Sequence, residues 1–444
     1  MNGAARRGAT EGAASSGGAA GGGRAAPGRA APRRAAPPPS SGEGPDRPVR
    51  PLAAVLVTSL LTLVVLVFVL PNLWYGIHDI SDIPVYQAYA DQIAQGLTPY
   101  RDFDIEYPPL AVPLFRIPGA GIPIELFMRR FSILMGAITI ATGALVALAA
   151  CSLWPRGRHA YLAGTLYAIA VAFTGAIVVN RYDAAVALVV AAFLLCLVRR
   201  WYIPAAVVLG LGFALKITPA ALLPLVLLLA GSPRRWLWPI VGFAAAAVAG
   251  FMPYLVIAPQ GIWHVFRYHL ERPLQIESVL GTPMLLGNAL GRWWVEVGHS
   301  HGSHQLIATG AGVAADLSGV LTFGALVIVY VVLLVHRARL RATPEQLPLA
   351  VLALLLALMT FGKVLSPQYF IWILPVLALV AVREPLLGLL GALVLALTHA
   401  EFPALYWNVV DLQPAALTLV AIRNVLLVAL FCAAFSKQWR LPGV

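Results

Sequence analysis

The sequence predicts an all-α polytopic membrane protein with about twelve transmembrane helices. Hydrophobic residues make up 60% of the chain and charged residues only 11%, a ratio too one-sided for a soluble core that polar surface must still cover. Apolar stretches of about 20 residues, the length that spans a hydrocarbon core of about 30 Å, recur along nearly the whole chain. Short basic clusters between them indicate that the chain crosses a bilayer repeatedly.

Two regions differ sharply in composition. Residues 1–50 consist almost entirely of Ala, Gly, Pro, Ser and Arg, and a segment with so few large apolar side chains cannot offset the entropy lost on ordering. We predict a disordered cytoplasmic tail there and a multi-pass domain over residues 51–440. The first apolar run, residues 52–70, begins too late and is too long for a cleaved signal peptide, so we expect it to be the first spanning helix.

The basic residues predict the orientation of the helices, because arginine and lysine are retained on the cytoplasmic side. Following them along the chain places both termini in the cytoplasm of a plasma-membrane protein. Two large loops, residues 72–127 and 259–307, then lie on the extracytoplasmic side. The fifth and sixth helices are expected to be short and separated at Pro219, since proline breaks a helix. The residues that set this orientation are Arg47, Arg50, Arg156, Arg158, Arg199, Arg200, Arg234, Arg235, Arg341, Arg383, Lys437 and Arg440.

Composition also excludes several classes of protein. Cys151, Cys196 and Cys432 each lie in or beside an apolar stretch without a close partner in sequence, which indicates packing residues and not a disulfide framework or metal site. The formal net charge of +12 is spread over short clusters, so no nucleic acid partner is expected. The sequence shows no nucleotide-binding motif. Any group transfer would therefore need a donor that the membrane delivers, such as a lipid-linked sugar.

The first predicted outer loop concentrates acidic side chains where the membrane ends. A solvated loop without chemistry would explain them. The loop is rich in Tyr and Pro, however, so we expect it to be ordered, with a helix over about residues 83–95 that holds Asp82 near its start. A helix start favours an ionised carboxylate. The acidic residues are Asp79, Asp82, Asp91, Asp102, Asp104 and Glu106.

Other predicted outer loops supply cations at or just beyond helix ends, namely Arg181, Lys216, Arg272 and Lys363. A lysine this close to hydrocarbon costs up to about 3 kcal/mol unless it is paired or reaches the interface. Interfacial placement alone would explain either lysine, but an anionic partner such as a lipid phosphate explains both. For Arg181, a local structural ion pair with Asp183 is the alternative.

Metal binding has weak support in the sequence. His299, His301 and His304 in the segment HSHGSH have only loose ligand spacing in what we expect to be a flexible polar loop. The acidic residues Asp102 and Asp104 could still meet a cation. We therefore assign no metal and no cofactor, without excluding a divalent ion.

These features together resemble glycosyltransferase family 87, the polyprenyl-phosphate-mannose-dependent mannosyltransferase-like proteins of the glycosyltransferase C superfamily. The fragments that carry the resemblance are DIPVY, GLTPYRDFDIEYPPL, NRYDAAVAL, ALKITPAALLPL, ERPLQIES and KVLSPQYFIWILP, in that order from Asp82 to Pro375. Each fragment alone would be weak. The high Ala, Gly and Arg content is also similar to that of actinobacterial chains.

The resemblance implies inverting transfer of a hexose, with mannose favoured, from polyprenyl phosphate to a cell-envelope glycolipid or glycan at the extracytoplasmic face. In that family the aspartate of the D-x-x-V-Y segment is the general base, which here is Asp82, with Asp79 as the competing candidate. One base is enough, because a phosphate leaves without a proton donor. Lys216, Arg272 and Lys363 would stabilise that phosphate. The residues expected to hold sugar hydroxyls or orient these groups are Glu106, Arg181, Asp183, Glu277 and Gln368.

Two other functions remain open from the sequence. A flippase or transporter of a lipid-linked substrate would place ionisable residues at mid-membrane and show two related halves, whereas here these residues cluster at predicted outer ends. An inactive family member acting as an assembly partner is the second. The sequence does not specify the acceptor, the linkage or the oligomeric state.

Overall fold

The computed structural model describes residues 48–76 and 78–439. All but the last few residues of the predicted disordered tail, and Arg440 at the other terminus, therefore lie outside the described residues. The first helices are α1 (Pro51–Val64), α2 (Ile83–Ala94), α3 (Ala111–Arg116), α4 (Ile124–Leu153), α5 (His159–Thr174), α6 (Ile177–Asn180), α7 (Asp183–Val198), α8 (Tyr202–Leu215), α9 (Leu223–Ala230) and α10 (Leu237–Ile257). The chain continues with α11 (Pro259–Glu271), α12 (Thr282–Ala289), strands β1 (Val295–Ser300) and β2 (Ser303–Ala308), α13 (Ala311–Val335), α14 (Arg337–Ala342), α15 (Leu347–Phe361), α16 (Phe370–Arg383), α17 (Pro385–His399), α18 (Tyr406–Val410) and α19 (Pro414–Trp439).

Seven segments of the described chain are helical, long and apolar enough to cross a membrane. They contain α1, α4, α10, α13, α15, α17 and α19. Shorter apolar helices stand between them: α5, α7, α8, the segment Thr218–Ala230 that contains α9, and α16 with its preceding turn. The structure is therefore that of a mostly helical, multi-pass chain, while the total of about twelve crossings stays a prediction.

The helix centres pack closely because small residues face one another. A side chain at Gly164 would meet Thr58 of α1 at 1.9 Å, and one at Gly210 would meet the backbone oxygen of Phe243 at 2.3 Å. Nearly all of α15 and α16 is buried by the surrounding helices. Without these close approaches the short helices would lack partners in the centre of the bundle.

The predicted break at Pro219 is confirmed. Helix α8 ends at Leu215, a 3-10 turn covers Thr218–Leu222, and α9 follows. Lys216 has extended backbone angles between the two helices. Lys216 therefore lies outside both helices, and its side chain reaches Asp183 at the start of α7.

Basic residues from separate predicted cytoplasmic loops meet at one end of the bundle. Arg200 Nη2 donates to the backbone oxygen of Arg341 at 2.9 Å, and Arg341 Nη2 donates to that of Leu228 at 2.5 Å. Lys437 forms an ion pair with Glu384 at 2.8 Å. One set of helix ends therefore carries the basic residues that the charge pattern assigned to one side.

The opposite end of the bundle holds short elements, and one of them corrects the all-α prediction. The loop expected to be flexible around HSHGSH is an antiparallel hairpin in which His299 pairs with His304 and Ser300 with Ser303. His301 and Gly302 form its turn with φ of 49° and 65°, the left-handed angles that suit the twist of a two-residue hairpin. Backbone bonds from Ile276 N–H to His304 O (3.1 Å) and Leu306 N–H to Leu274 O (2.9 Å) fasten the preceding segment to it.

Candidate active site

A cavity of about 200 Å³ opens among these short elements. It brings together side chains from the loop between α1 and α4, the turn after α6, the end of α8, the end of α11 and the segment after it, the hairpin, and the turns around α16 and α18. The charged residues that line it are Asp82, Glu106, Arg181, Lys216, Arg272 and Glu277. Apolar helices thus position a strongly polar site at one end of the bundle.

Asp82 stands immediately before α2, as the sequence predicted, and Pro84 in the first turn fits that helix start. Its side chain is 31% exposed and forms an ion pair with Arg181, whose Nε lies 3.2 Å from Asp82 Oδ2. The Arg181 side chain is only 4% exposed and its guanidinium lies over the Phe402 ring. Asp82 is therefore an accessible carboxylate held by a buried cation.

Lys216 pairs with Asp183, Nζ to Oδ1 at 2.6 Å. Asp183, at the start of α7, is fully buried and also accepts a bond of 2.7 Å from Trp372 Nε1. The rings of Tyr182, Tyr369 and Trp372 each lie within about 5 Å of the ammonium group. The local Arg181–Asp183 pair that the sequence left open does not form, since each residue pairs with a partner from another segment.

Arg272 differs from the other cations of the cavity. Of the arginine and lysine side chains that line it in the described chain, Arg272 is the one without an acidic partner within ion-pair distance. Its Nη2 donates to Ser303 Oγ at 2.6 Å and its Nε is buried without a hydrogen-bond partner. A cation in this state is suited to bind an anion.

Tyr268 separates Arg272 from Glu106. Its ring lies 5.8 Å from the Arg272 guanidinium, and its hydroxyl donates to Glu106 Oε2. Burial, together with the charge of Glu106, raises the pKa of Tyr268 above its usual value, which keeps the phenol protonated as a donor. The Glu106 carboxylate therefore accepts a hydrogen bond from a tyrosine hydroxyl and does not form an ion pair with Arg272.

The inner wall of the cavity is formed by the segment after α11. Glu277 is 1% exposed, and its Oε2 accepts a hydrogen bond from Gln275. Burial raises the pKa of Glu277 well above its usual value, and the charge of Glu401 adds to this while Arg423 opposes it. Its backbone oxygen accepts bonds from Arg423 Nη2 (3.0 Å) and Asn424 Nδ2 (3.2 Å) of α19.

Four of the residues that line the cavity are histidines, namely His269, His299, His301 and His304. Burial and the nearby cation Arg272 lower the pKa of His269 to about 4, so this imidazole is neutral. His304 Nδ1 lies 2.8 Å from the Tyr406 hydroxyl. Within residues 48–76 and 78–439, no group of three or more His, Cys, Asp or Glu side chains is arranged to hold a metal. Asp102 is outside the cavity and bonds Arg101 and the Thr98 N–H.

The structure brings most of the predicted site residues together. Asp82, Glu106, Arg181, Lys216, Arg272, Glu277 and Gln368 line the cavity, and Asp183 supports it through Lys216. Asp79 does not reach it, because the side chain turns back to the Gly76 N–H at 2.8 Å in a non-helical segment. Lys363 does not line it either, because its Nζ bonds the backbone oxygen of Leu270 at 2.6 Å. Burial lowers the pKa of Lys363.

Sequence reasoning missed Gln275 and Tyr268, which line the cavity, and the buried pair of Glu401 and Arg423, which contacts the cavity wall through the Glu277 carbonyl oxygen. Arg423 carried a usable signal, because an arginine inside the apolar run LTLVAIRNVLLVAL needs a partner within the membrane. Glu401, 3.3 Å from Arg423 Nη2, is that partner. Gln275 and Tyr268 gave no comparable signal, since uncharged polar residues are ordinary in a loop.

The cavity thus combines an accessible carboxylate, Asp82, with an arginine that has no acidic partner within ion-pair distance, Arg272. The family model for glycosyltransferase family 87 matches residues 106–367, more than half of the chain. The chain belongs to glycosyltransferase family 87, which confirms the family that the sequence fragments indicated.

Individual proteins that are similar to this chain share less than 30% of its sequence. Over 329 residues the chain is 27% identical to a polyprenol-phosphate-mannose-dependent α-(1-2)-phosphatidylinositol mannoside mannosyltransferase of Mycobacterium tuberculosis, covering 69% of this chain and 68% of that protein. Among solved structures it is similar to ArnT from Cupriavidus metallidurans in the apo state, with a TM-score of 0.47 and 13% identity over 87% of this chain and 77% of that one. The undecaprenyl-phosphate-bound form of ArnT gives 0.47 and 14% over 88% and 78%.

Proposed function

We propose that this protein transfers a hexose, mannose in the first instance, from a polyprenyl-phosphate donor to a hydroxyl group of a cell-envelope glycolipid or glycan. The observation that carries the proposal is the pairing pattern of the cavity: Asp82 is accessible and held by Arg181, while Arg272 has no acidic partner. A base and an unpaired cation in one cavity are the two groups that this transfer needs. The donor and the sugar are taken from the mycobacterial relative.

In the proposed reaction, Asp82 accepts the proton of the acceptor hydroxyl as its oxygen attacks the anomeric carbon of the hexose. The bond between that carbon and the phosphate oxygen breaks on the opposite side, so the configuration inverts. Arg181 positions the carboxylate through their 3.2 Å ion pair. The polyprenyl phosphate leaves as an anion and needs no proton.

Arg272 is proposed to bind the phosphate, since a guanidinium matches phosphate geometry with two donors. Lys216 adds positive charge but is already neutralised by Asp183, so we assign it a supporting role. Lys363 and Asp79 lie outside the cavity, and a part in the reaction for either would need a rearrangement.

The orientation is part of the proposal. Because the end of the bundle opposite the cavity carries Arg200, Arg341 and Lys437 together, the positive-inside rule would place that end, and both termini, in the cytoplasm of a plasma-membrane protein. The cavity would then open on the extracytoplasmic side. A donor already linked to a lipid fits that location, where activated nucleotides are absent.

The rival function is a flippase for a lipid-linked substrate. It draws support from the buried charges Glu401 and Arg423 inside candidate spans, since such residues often line transport paths. These two side chains form an ion pair with each other, however, and are fully buried. Such a pair stabilises the fold and is not exposed to a transport path. An inactive relative that assists assembly would keep the fold without turnover.

The test is transfer of radiolabelled mannose from synthetic polyprenyl-phosphate-mannose by purified wild type, Asp82→Asn and the control Asp102→Asn. We expect turnover in wild type and control and a loss of about 10²- to 10⁴-fold in Asp82→Asn, with donor binding retained. Absence of transfer by wild type from any polyprenyl-phosphate hexose, with transbilayer lipid movement detected, would overturn the proposal in favour of the flippase.

A further inference from the structure

The inner wall of the cavity contains two polar side chains with unused bonding capacity. Gln275 is 2% exposed and Glu277 is 1% exposed, and both line the cavity. The Gln275 amide donates to Glu277 Oε2. This leaves Gln275 Oε1 and Glu277 Oε1 buried without a hydrogen-bond partner. Orphaned polar atoms inside a protein are costly, so a pair of them in a cavity wall indicates a ligand.

The two unused atoms are complementary. Glu277 is desolvated and close to Glu401, conditions that favour its protonated form. With Oε2 accepting from Gln275, the proton resides on Oε1, which becomes a donor, whereas the Gln275 amide oxygen is an acceptor. A single alcohol group, which donates once and accepts, satisfies both. A phosphate would offer no hydrogen to Gln275.

The position of this pair selects the donor hexose over other alcohols. Glu277 lies five residues after Arg272, the proposed phosphate ligand, and both line the same cavity as Arg181, the partner of Asp82. The hexose is bonded directly to the phosphate and must also face the base. It therefore occupies the space between these groups, next to the inner wall.

The segment is held through its backbone. Arg423 and Asn424 bond the Glu277 carbonyl oxygen, and the hairpin bonds the backbone of Leu274 and Ile276. None of these bonds involves the side chains of Gln275 or Glu277. Replacing those side chains consequently leaves the wall in place, which makes the pair testable.

We propose that Gln275 and Glu277 bind one hydroxyl group of the transferred hexose as a matched acceptor and donor, and so determine which hexoses the enzyme accepts. This inference rests on the proposed function. It identifies a specificity site distinct from the base and from the phosphate ligand.

The experiment compares polyprenyl-phosphate-mannose with its 2-, 3-, 4- and 6-deoxy analogues in wild type, Glu277→Ala, Gln275→Leu, Glu277→Gln and the control Glu296→Ala, an exposed carboxylate on β1. In wild type we expect one analogue to lose about 10- to 100-fold in kcat/KM because it leaves both atoms orphaned. Glu277→Ala and Gln275→Leu should lose that discrimination and keep discrimination at the other positions. Glu277→Gln, which still donates through its amide, and the control should retain it.

General damage to the fold would lower kcat/KM for all donors equally and leave the discrimination intact, which would overturn the inference. Wild type that accepts every deoxy donor equally would also overturn it, without need of any variant. In both cases transfer of mannose itself would leave the proposed function standing. If wild type transfers no hexose from any donor, the proposed function fails and this inference fails with it.

Discussion

Arg181 Nε lies 3.2 Å from Asp82 Oδ2, joining the residue after α6 to the residue before α2. The arginine is nearly inaccessible to solvent while the aspartate is not. The pair thus has a fixed member and a reachable one. This asymmetry suits a base that must meet an incoming hydroxyl without changing its own position.

We predict that Arg181→Lys lowers kcat about 10- to 100-fold and changes the KM for donor less than about threefold, because lysine keeps the charge but lacks the Nε atom that lies against the carboxylate. Steady-state transfer assays over a range of donor concentrations measure both constants. Arg199→Lys, at the basic end of the bundle, is the matched control. An unchanged kcat would show that Asp82 needs no fixed partner.

Arg272→Met should raise the KM for the polyprenyl-phosphate donor about 10- to 100-fold, because the substitution keeps an unbranched apolar stem but removes the guanidinium and its charge-assisted bonds. Arg267→Met in α11, five residues before Arg272, is the control, since Arg267 is exposed and forms an ion pair with Glu271. Donor titrations of transfer activity measure the effect. Equal KM values in the two variants would remove Arg272 from the phosphate site.

Arg423→Leu should destabilise the protein by about 3–5 kcal/mol, because it leaves the carboxylate of Glu401 buried without its partner. The thermal midpoint in detergent should fall by several degrees. Lys437→Leu, which breaks the partly exposed pair with Glu384, should change it little. The double variant Arg423→Leu/Glu401→Leu should recover part of the loss, and a double variant worse than the single one would contradict this account.

Acidification should destabilise the protein through His269, whose pKa in the folded protein is about 4, below its usual 6.5. The unfolded chain then binds more protons between these values, so stability is lost as pH falls from about 6.5 towards 4, by at most about 3 kcal/mol. His269→Gln should flatten the dependence of the thermal midpoint on pH in that window. An identical pH dependence in wild type and variant would show that His269 is not its source.

The charge pattern separated the basic loops from the loops that supply the cavity residues, and in the structure these two sets of loops lie apart. The side of the membrane that each set faces stays a prediction. The sequence also predicted the helix that begins after Asp82, because residues 83–95 have a helical composition. The ion pairs between charged side chains were harder to predict. Arg181 and Asp183 are neighbours in NRYD, yet the turn between α6 and α7 separates their side chains, and each finds a partner from a distant segment.

The hairpin was missed for a different reason. The segment VEVGHSHGSHQLIA contains a His-Gly turn between alternating residues, but its polar composition favoured a flexible loop and a loose metal motif. Its order comes from tertiary contacts, namely the backbone bonds to Leu274 and Ile276. Such contacts between distant segments leave no local periodicity in the sequence.

The attachment of residues 274–278 through backbone atoms has an evolutionary consequence. A wall whose position is independent of its side chains at 275 and 277 can change those side chains by single substitutions while the base and the phosphate ligand remain in place. Related chains could then acquire new sugar preferences in small steps. The same property offers a short, defined target for directed evolution of donor selectivity.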